Sequence, residues 1–362
     1  MRIAIVGPAF PYKGGGARHT TELAHRLAAA GHEVAIESWR AQYPGFLYPG
    51  QQTIAEPEGE PFPGTRHRLD WRRPDGWYRT GRALRSCDLV VLVVLSTVQV
   101  PSYLGILAGI GGRTRVVALC HNVLPHERKP YDEPLMKRLL RKVDGVLVHT
   151  DAQADVARGL TSRPVRVAEM AAHLPSSGAV SSGDDKVRRR LLFFGIVRPY
   201  KGLDVLLRAL AEGPDDVSLT VAGEFWGGLD ETRELIRSLD LTSRVELRPG
   251  YVPAADVPGL FAAADALVLP YRTATASQNV WMAYEHGLPV IATDVGGFAD
   301  QIRDGVDGLV CPPDDVASLA SALKRFYEPG EPERLRSGVR PVDHGPLWAA
   351  YLDALTGAVR CP

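Results

Sequence analysis

The chain has 362 residues, and its 42 Lys plus Arg are matched by 42 Asp plus Glu. That length exceeds one ordinary core and suits two domains, while the even charge leaves no global field for a nucleic-acid partner, so any anion site must be built locally. Cys87, Cys120, Cys311 and Cys361 show no paired metal-ligand spacing, which excludes a structural zinc framework and points to a reduced, cytoplasmic protein.

The chain opens on a predicted strand, Arg2–Gly7, that runs into a glycine-rich loop rather than a signal peptide. Further strands are predicted at Glu33–Ser38, Asp88–Leu95, Arg115–Cys120, Gly145–His149 and Val165–Ala168, alternating with helices such as Ala17–Ala30 and Glu133–Val143. Such alternation means a parallel sheet wrapped by helices. The longest apolar run, Leu89–Val100, is too short to span a bilayer and is valine-rich, as a strand covered on both faces should be. Between Leu174 and Val187 the composition turns to Ser, Gly and Asp, which reads as a linker. A second alternation follows, with strands at Leu191–Val197, Ser218–Gly223, Val245–Leu247, Ala266–Pro270, Pro289–Thr293 and Gly308–Val310. Its helices are Leu203–Ala211, Thr232–Leu239, Val257–Ala263 and Val280–His286. The expected class is α/β with two doubly wound, Rossmann-like domains facing across a cleft: residues 1–173, a linker at 174–188, and residues 189–339. A closing helix within 340–362, around Trp348, Tyr351, Leu352 and Leu355, is expected to cross back to the first domain.

The chemistry concentrates in three glycine-bearing turns. After the first strand, Gly14-Gly15-Gly16 precedes a helix, so backbone amides at Gly15 and Gly16 are open to a ligand; a flexible turn is the plain alternative. In Phe194-Gly195-Ile196-Val197-Arg198-Pro199-Tyr200-Lys201-Gly202, a strand ends in a turn holding two cations before a helix N-terminus. That is a place to hold a diphosphate, at the kind of strand end where open parallel sheets bind ligands. The third run passes from Pro270 through Thr273, Thr275, Ala276, Ser277 and Gln278 into a helix ending before Gly287. Its amides and hydroxyls suit an anion or a sugar, and equally suit helix capping. Gly223 ends the neighbouring strand and joins the donor-side set; Phe225 and Trp226 beyond it read as a stacking pair or a packing plug.

With these motifs in hand, the sequence resembles glycosyltransferase family 4, the retaining group 1 glycosyltransferases of GT-B fold, over nearly its whole length. The resemblance rests on Gly14-Gly15-Gly16 with Gly31-His32-Glu33-Val34, on Gly195 to Gly202, on Pro249-Gly250-Tyr251-Val252-Pro253, on Ala264-Asp265 through Leu269-Pro270, and on Gly287 to Gly297 with Asp304-Gly305 and Gly308-Leu309-Val310. It implies that Arg198 and Lys201 bind the donor diphosphate and steady its departure, that Tyr251 and Val252 lie by the nucleotide base, and that His121 sits near the reacting sugar. A loop histidine satisfied by carbonyls beside Asn122 is the other reading of His121; His126 and His149 read as structural. The resemblance also implies a front-face mechanism, in which the leaving diphosphate takes the acceptor proton and the protein supplies electrostatic support.

One departure stands out: the two donor-loop glutamates usual in the family align with Ala274 and Met282. Substrate contacts there must be rebuilt from Thr273, Thr275, Ser277, Gln278 and Asn279, or are lost. The implied activity is retaining, metal-independent transfer of a sugar from a nucleoside-diphosphate sugar to an unknown acceptor hydroxyl, with no cofactor and no metal ligand set. The alternative is a non-catalytic nucleotide-binding protein or partner subunit, and behind it a nucleotide-sugar epimerase. Acceptor recognition falls to the first domain, where Trp39–Tyr78 is aromatic and rich in Arg, Pro and Gly. Within it Arg66, His67, Arg68, Trp71, Arg72 and Arg73, with Lys137, Arg138, Arg141 and Lys142 on a basic helix, form a solvated charged face. The same residues suit anionic headgroups, which would place a cytoplasmic protein peripherally at the inner face of a membrane.

Overall fold

The computed structural model describes residues 1–45, 51–125, 127–171, 186–274 and 278–357. Most of the expected linker, together with His126, Thr275, Ala276 and Ser277, lies outside the described residues. The chain forms two compact units, Met1–Leu174 with Asp343–Pro362, and Pro175–Val342.

The first unit is built on a seven-stranded sheet in the order β3-β2-β1-β4-β5-β6-β7, every neighbouring pair parallel. Its strands are β1 (Arg2–Val6), β2 (Glu33–Ala41), β3 (Thr65–Asp70), β4 (Leu89–Val94), β5 (Arg115–Cys120), β6 (Gly145–Val148) and β7 (Val165–Val167). Alternation along β1 sends Ala4 and Val6 to one face and Ile3 and Ile5 to the other, and each face has its own core. β4, Leu-Val-Val-Leu-Val-Val, is buried throughout because helices cover both its faces. On the face of Ile3 and Ile5, the C-terminal helix Gly345–Thr356 lays Trp348, Tyr351 and Leu355 beside Leu23 and Leu27 of the helix Gly15–Ala29.

The region Trp39–Tyr78 carries more regular structure than its composition suggests. Trp39 is buried, the stretch contains edge strand β3, and the helix Pro74–Ala83 begins inside it. β3 escapes a periodicity search because Arg66, His67 and Arg68 form an exposed run in its middle.

The second unit carries a six-stranded sheet in the order β10-β9-β8-β11-β12-β13, again all parallel. Its strands are β8 (Arg190–Phe194), β9 (Ser218–Gly223), β10 (Val245–Pro249), β11 (Ala266–Leu269), β12 (Val290–Thr293) and β13 (Gly308–Cys311). Asp265, fully buried just before β11, accepts backbone N–H bonds from Arg188 and Arg190 at 2.8 and 2.9 Å and the Tyr327 hydroxyl at 3.1 Å. A buried carboxylate so placed fixes where β8 begins. Leu203, Leu206, Leu207 and Leu210 of the helix Leu203–Ala211 fill the core beneath the β8 end.

Candidate functional site

The predicted strand Leu191–Val197 breaks at Phe194, because Gly195 takes a φ of 103° that a β-branched residue would resist. The chain stays tied to its neighbour: Gly195 N–H donates to Ala222 O at 3.0 Å and Val197 N–H to Glu224 O at 2.7 Å. It then makes a single 3-10 turn at Pro199–Lys201 and enters the helix Leu203–Ala211 through Gly202 in the left-handed region. A Cβ at Gly202 would sit 2.0 Å from Pro270 O, and one at Gly223 would sit 1.9 Å from Gly195 O. Only glycine lets the ends of β8, β9 and β11 approach so closely.

Lys201 and Asn279 face this junction. Their Nζ and Nδ2 lie 3.5 and 3.8 Å from the point where a Gly195 side chain would begin. Asn279 Nδ2 donates to Phe194 O and to the Tyr271 hydroxyl, both at 3.2 Å, while Lys201 Nζ stands 5.1 Å over the Tyr271 ring. Burial lowers the Lys201 pKa, against a weaker upward pull from Tyr200, so the ammonium is held in a place that favours an incoming anion. Arg198 packs its guanidinium 5.1 Å over the Trp226 ring, an aromatic face that attracts a cation. The predicted cations thus share one turn, each against its own aromatic ring.

A residue the sequence reading passed over holds that turn. Arg272 Nη1 and Nη2 fork onto Asp204 at 2.9 and 2.8 Å, Nη1 also donates to Pro199 O at 2.8 Å, and Nε donates to Asp314 at 2.8 Å. Its backbone N–H donates to Tyr200 O at 2.7 Å. The two partners push the Arg272 pKa up, and the guanidinium in turn holds the Asp204 carboxyl below its ordinary range. Arg272 is therefore a positioning residue for the turn of Arg198 and Lys201. Its place two residues beyond a strand-ending proline was the only signal.

The remaining residues expected on the donor side lie around the same strand ends. Gly250 N–H donates to Gly223 O at 3.0 Å, which brings the half-buried Tyr251 and Val252 next to the end of β9. Gln278 stands at the N-cap of the helix Asn279–Glu285 without a side-chain cap bond. Of the two positions aligned with the missing glutamates, Met282 is buried, and the Ala274 carbonyl lies 2.3 Å from where a Gly296 side chain would begin.

Gly15, Gly16 and His121 belong to the other unit. Gly15 and Gly16 open the helix Gly15–Ala29 behind an N-cap Gly14 of φ 88°, and a side chain at Gly16 would meet Leu95 at 2.7 Å. A larger residue at Gly16 would therefore have to push the Leu95 side chain aside. His121 follows β5 and anchors its N–H on Val94 O at 3.0 Å. Its ring lies 4.8 Å from that of His19 and 4.9 Å from that of His149, and His19 stacks on Trp348 of the C-terminal helix at 5.6 Å. Burial, then the two neighbouring imidazoles, holds the His121 pKa well below the ordinary histidine value, so the ring is neutral near pH 7. His19 was not anticipated, since a lone histidine in an apolar helix carries no signal of what it meets. Among the described residues no group of three or more His, Cys, Asp or Glu side chains is arranged to hold a metal ion, and no helix is long and apolar enough to cross a membrane.

Two doubly wound units of this construction define the GT-B class. Solved structures share the fold: sucrose-phosphate synthase from Thermosynechococcus elongatus aligns over 99% of this chain and 96% of its own, with TM-score 0.70 and 18% identity. Anabaena HepE, solved in complex with UDP and glucose, aligns over 99% of this chain and 100% of its own, with TM-score 0.71 and 17% identity. Residues 13–169 match the family described as Glycosyltransferase Family 4, and residues 188–329 match Glycosyl transferases group 1. The chain belongs to the group 1, family 4 glycosyltransferases. Among curated relatives, the D-inositol 3-phosphate glycosyltransferase of Nocardia farcinica is 34% identical over 175 residues, 45% of this chain and 38% of the relative. That of Actinosynnema mirum is 28% identical over 254 residues, 62% of this chain and 60% of the relative. The chain spans about half the length of the curated relatives it matches.

Proposed function

We propose that this protein is a retaining, metal-independent glycosyltransferase that moves a sugar from a nucleoside diphosphate to an acceptor hydroxyl. The observation that carries the reading is the turn after β8, where a half-buried Lys201 ammonium and Arg198 stand at the end of a parallel strand beside a helix N-terminus. Arg198 and Lys201 would neutralise the diphosphate and stabilise the charge that grows on it as the sugar–oxygen bond breaks. The acceptor oxygen forms the new bond on the same face, and its proton passes to the departing phosphate. No protein nucleophile is required. Gly195 and Gly223 would admit the phosphates, and Tyr251 and Val252 would take the base. Family membership supports the reading, as do relatives named as glycosyltransferases and a neighbour of the same fold solved with UDP.

His121 is assigned as a neutral hydrogen-bonding group for the sugar. The absence of carboxylates at Ala274 and Met282 favours a second reading, nucleotide binding without transfer. Incubation with UDP-, GDP-, ADP- and TDP-sugars, assayed for released nucleoside diphosphate, separates the two. Release from one donor series, lost in Arg198→Ala/Lys201→Ala, supports transfer or its hydrolytic counterpart. Tight nucleotide binding with no release supports the second reading.

A further inference from the structure

A pocket of about 390 Å³ opens in the first unit between β2, the edge strand β3 and the helix Pro74–Ala83. Four guanidiniums line it: Arg40 from β2, Arg68 from β3, Arg73 just before the helix and Arg79 on the helix. Two carboxylates, Asp70 and Asp75, share the lining, and neither offsets the charge in full. Asp70 is already gripped by Arg72, whose Nε and Nη2 donate to its two oxygens at 3.0 and 2.8 Å and hold its pKa down. Asp75 accepts from both Arg73, at 3.0 Å, and Arg79, so one anion serves two cations. Arg68 meets Glu37 only at 4.0 Å, on the oxygen Arg66 holds at 3.1 Å. The concavity therefore carries an excess of at least two positive charges in a protein of zero formal net charge.

We infer that this pocket binds a phosphate-bearing ligand, either a free phosphorylated small molecule or the phosphate of a lipid headgroup. Guanidinium forks match phosphate oxygens in pairs, and Asp75 pre-orients two of them, which lowers the ordering cost of binding. The volume suits a small molecule or a headgroup. The inference does not depend on glycosyl transfer, because all of these residues lie in the first unit and none belongs to the turn after β8.

The test is calorimetric titration of inorganic phosphate into the full chain carrying Arg198→Ala/Lys201→Ala, so that the turn after β8 contributes nothing, with and without Arg40→Gln/Arg68→Gln. Flotation of the intact protein and of the Arg40→Gln/Arg68→Gln variant on phosphatidylcholine vesicles, with or without phosphatidylglycerol, runs in parallel. Losing two charge-assisted bonds should weaken phosphate binding by roughly tenfold or more. Phosphate binding that falls in this way without flotation identifies a free phosphorylated ligand. Flotation that needs phosphatidylglycerol and is lost in the variant identifies a headgroup. Binding of neither probe, or binding that the glutamine variant leaves unchanged, overturns the inference. If the double variant melts early, Arg68→Gln alone, at a side chain 57% exposed, answers the same question with a smaller loss.

Discussion

Lowering the pH should loosen the first unit through His149. This residue is 4% exposed, and its Nδ1 lies 3.3 Å from Ala168 O, so that nitrogen donates. Its Nε2 is buried with no hydrogen-bond partner among the described residues, and its ring faces His121 at 4.9 Å, His19 at 6.0 Å and Tyr351 at 5.9 Å. A second proton would find no acceptor and would place a cation beside two imidazoles. Burial accordingly drives the His149 pKa down to about 4, against a smaller upward effect of the Ala168 bond. The unfolded chain, with a histidine pKa near ~6.5, takes the proton first. Stability from this group is therefore complete above about pH 6.5 and lost as the pH falls toward 4. The loss is about 2 kcal/mol by pH 5 and about 3 kcal/mol by pH 4, as the ratio of proton binding in the two states requires. Urea titration read by pulse proteolysis and mass spectrometry reports the first unit by itself. In His149→Gln, which keeps a donor for Ala168 O but cannot titrate, the loss between about pH 7.5 and pH 5 should shrink by about 2 kcal/mol. An equal loss in both proteins would refute the reasoning.

Three further outcomes follow from the second unit. Arg272→Ala removes the fork to Asp204 and the bond to Pro199 O; because these groups are one-third to one-half exposed, the stability cost should be only about 1 kcal/mol. Nucleotide affinity should nevertheless fall several-fold by calorimetry as the turn of Lys201 loosens, and an unchanged affinity would deny Arg272 its positioning role. Gly202→Ala forces a side chain into the left-handed region and against Pro270 O, and should cost at least ~2 kcal/mol in urea unfolding. Diphosphate binding should weaken with rising pH before an ordinary lysine titrates, because burial lowers the Lys201 pKa and a bound anion needs the protonated form; a flat profile through that range would show that Lys201 is not a ligand.

The fold was legible where burial imposes a pattern. β4 reads as an unbroken valine and leucine run because both faces are covered, and β8 to β13 each end near a glycine or proline that marks the turn. β3 was not legible, since an edge strand owes most of its surface to water and its Arg66-His67-Arg68 run shows no alternation. The turn of Arg198 and Lys201 was visible because glycine flanks it, whereas its support was not. Arg272 meets Asp204 and Asp314 across 68 and 42 residues of chain, and His19 on the helix Gly15–Ala29 meets His121 and His149 just past the ends of β5 and β6. Those contacts depend on strand order, which no local pattern encodes.

The central claim is that the turn after β8 holds a nucleoside diphosphate. Calorimetric titration of UDP, GDP, ADP and TDP into the intact protein, beside Arg198→Ala/Lys201→Ala, tests it most directly. Selective binding of one or two nucleotides, weakened more than tenfold in the variant, is the predicted result. Binding that survives loss of both cations, or none at millimolar nucleotide, would contradict it.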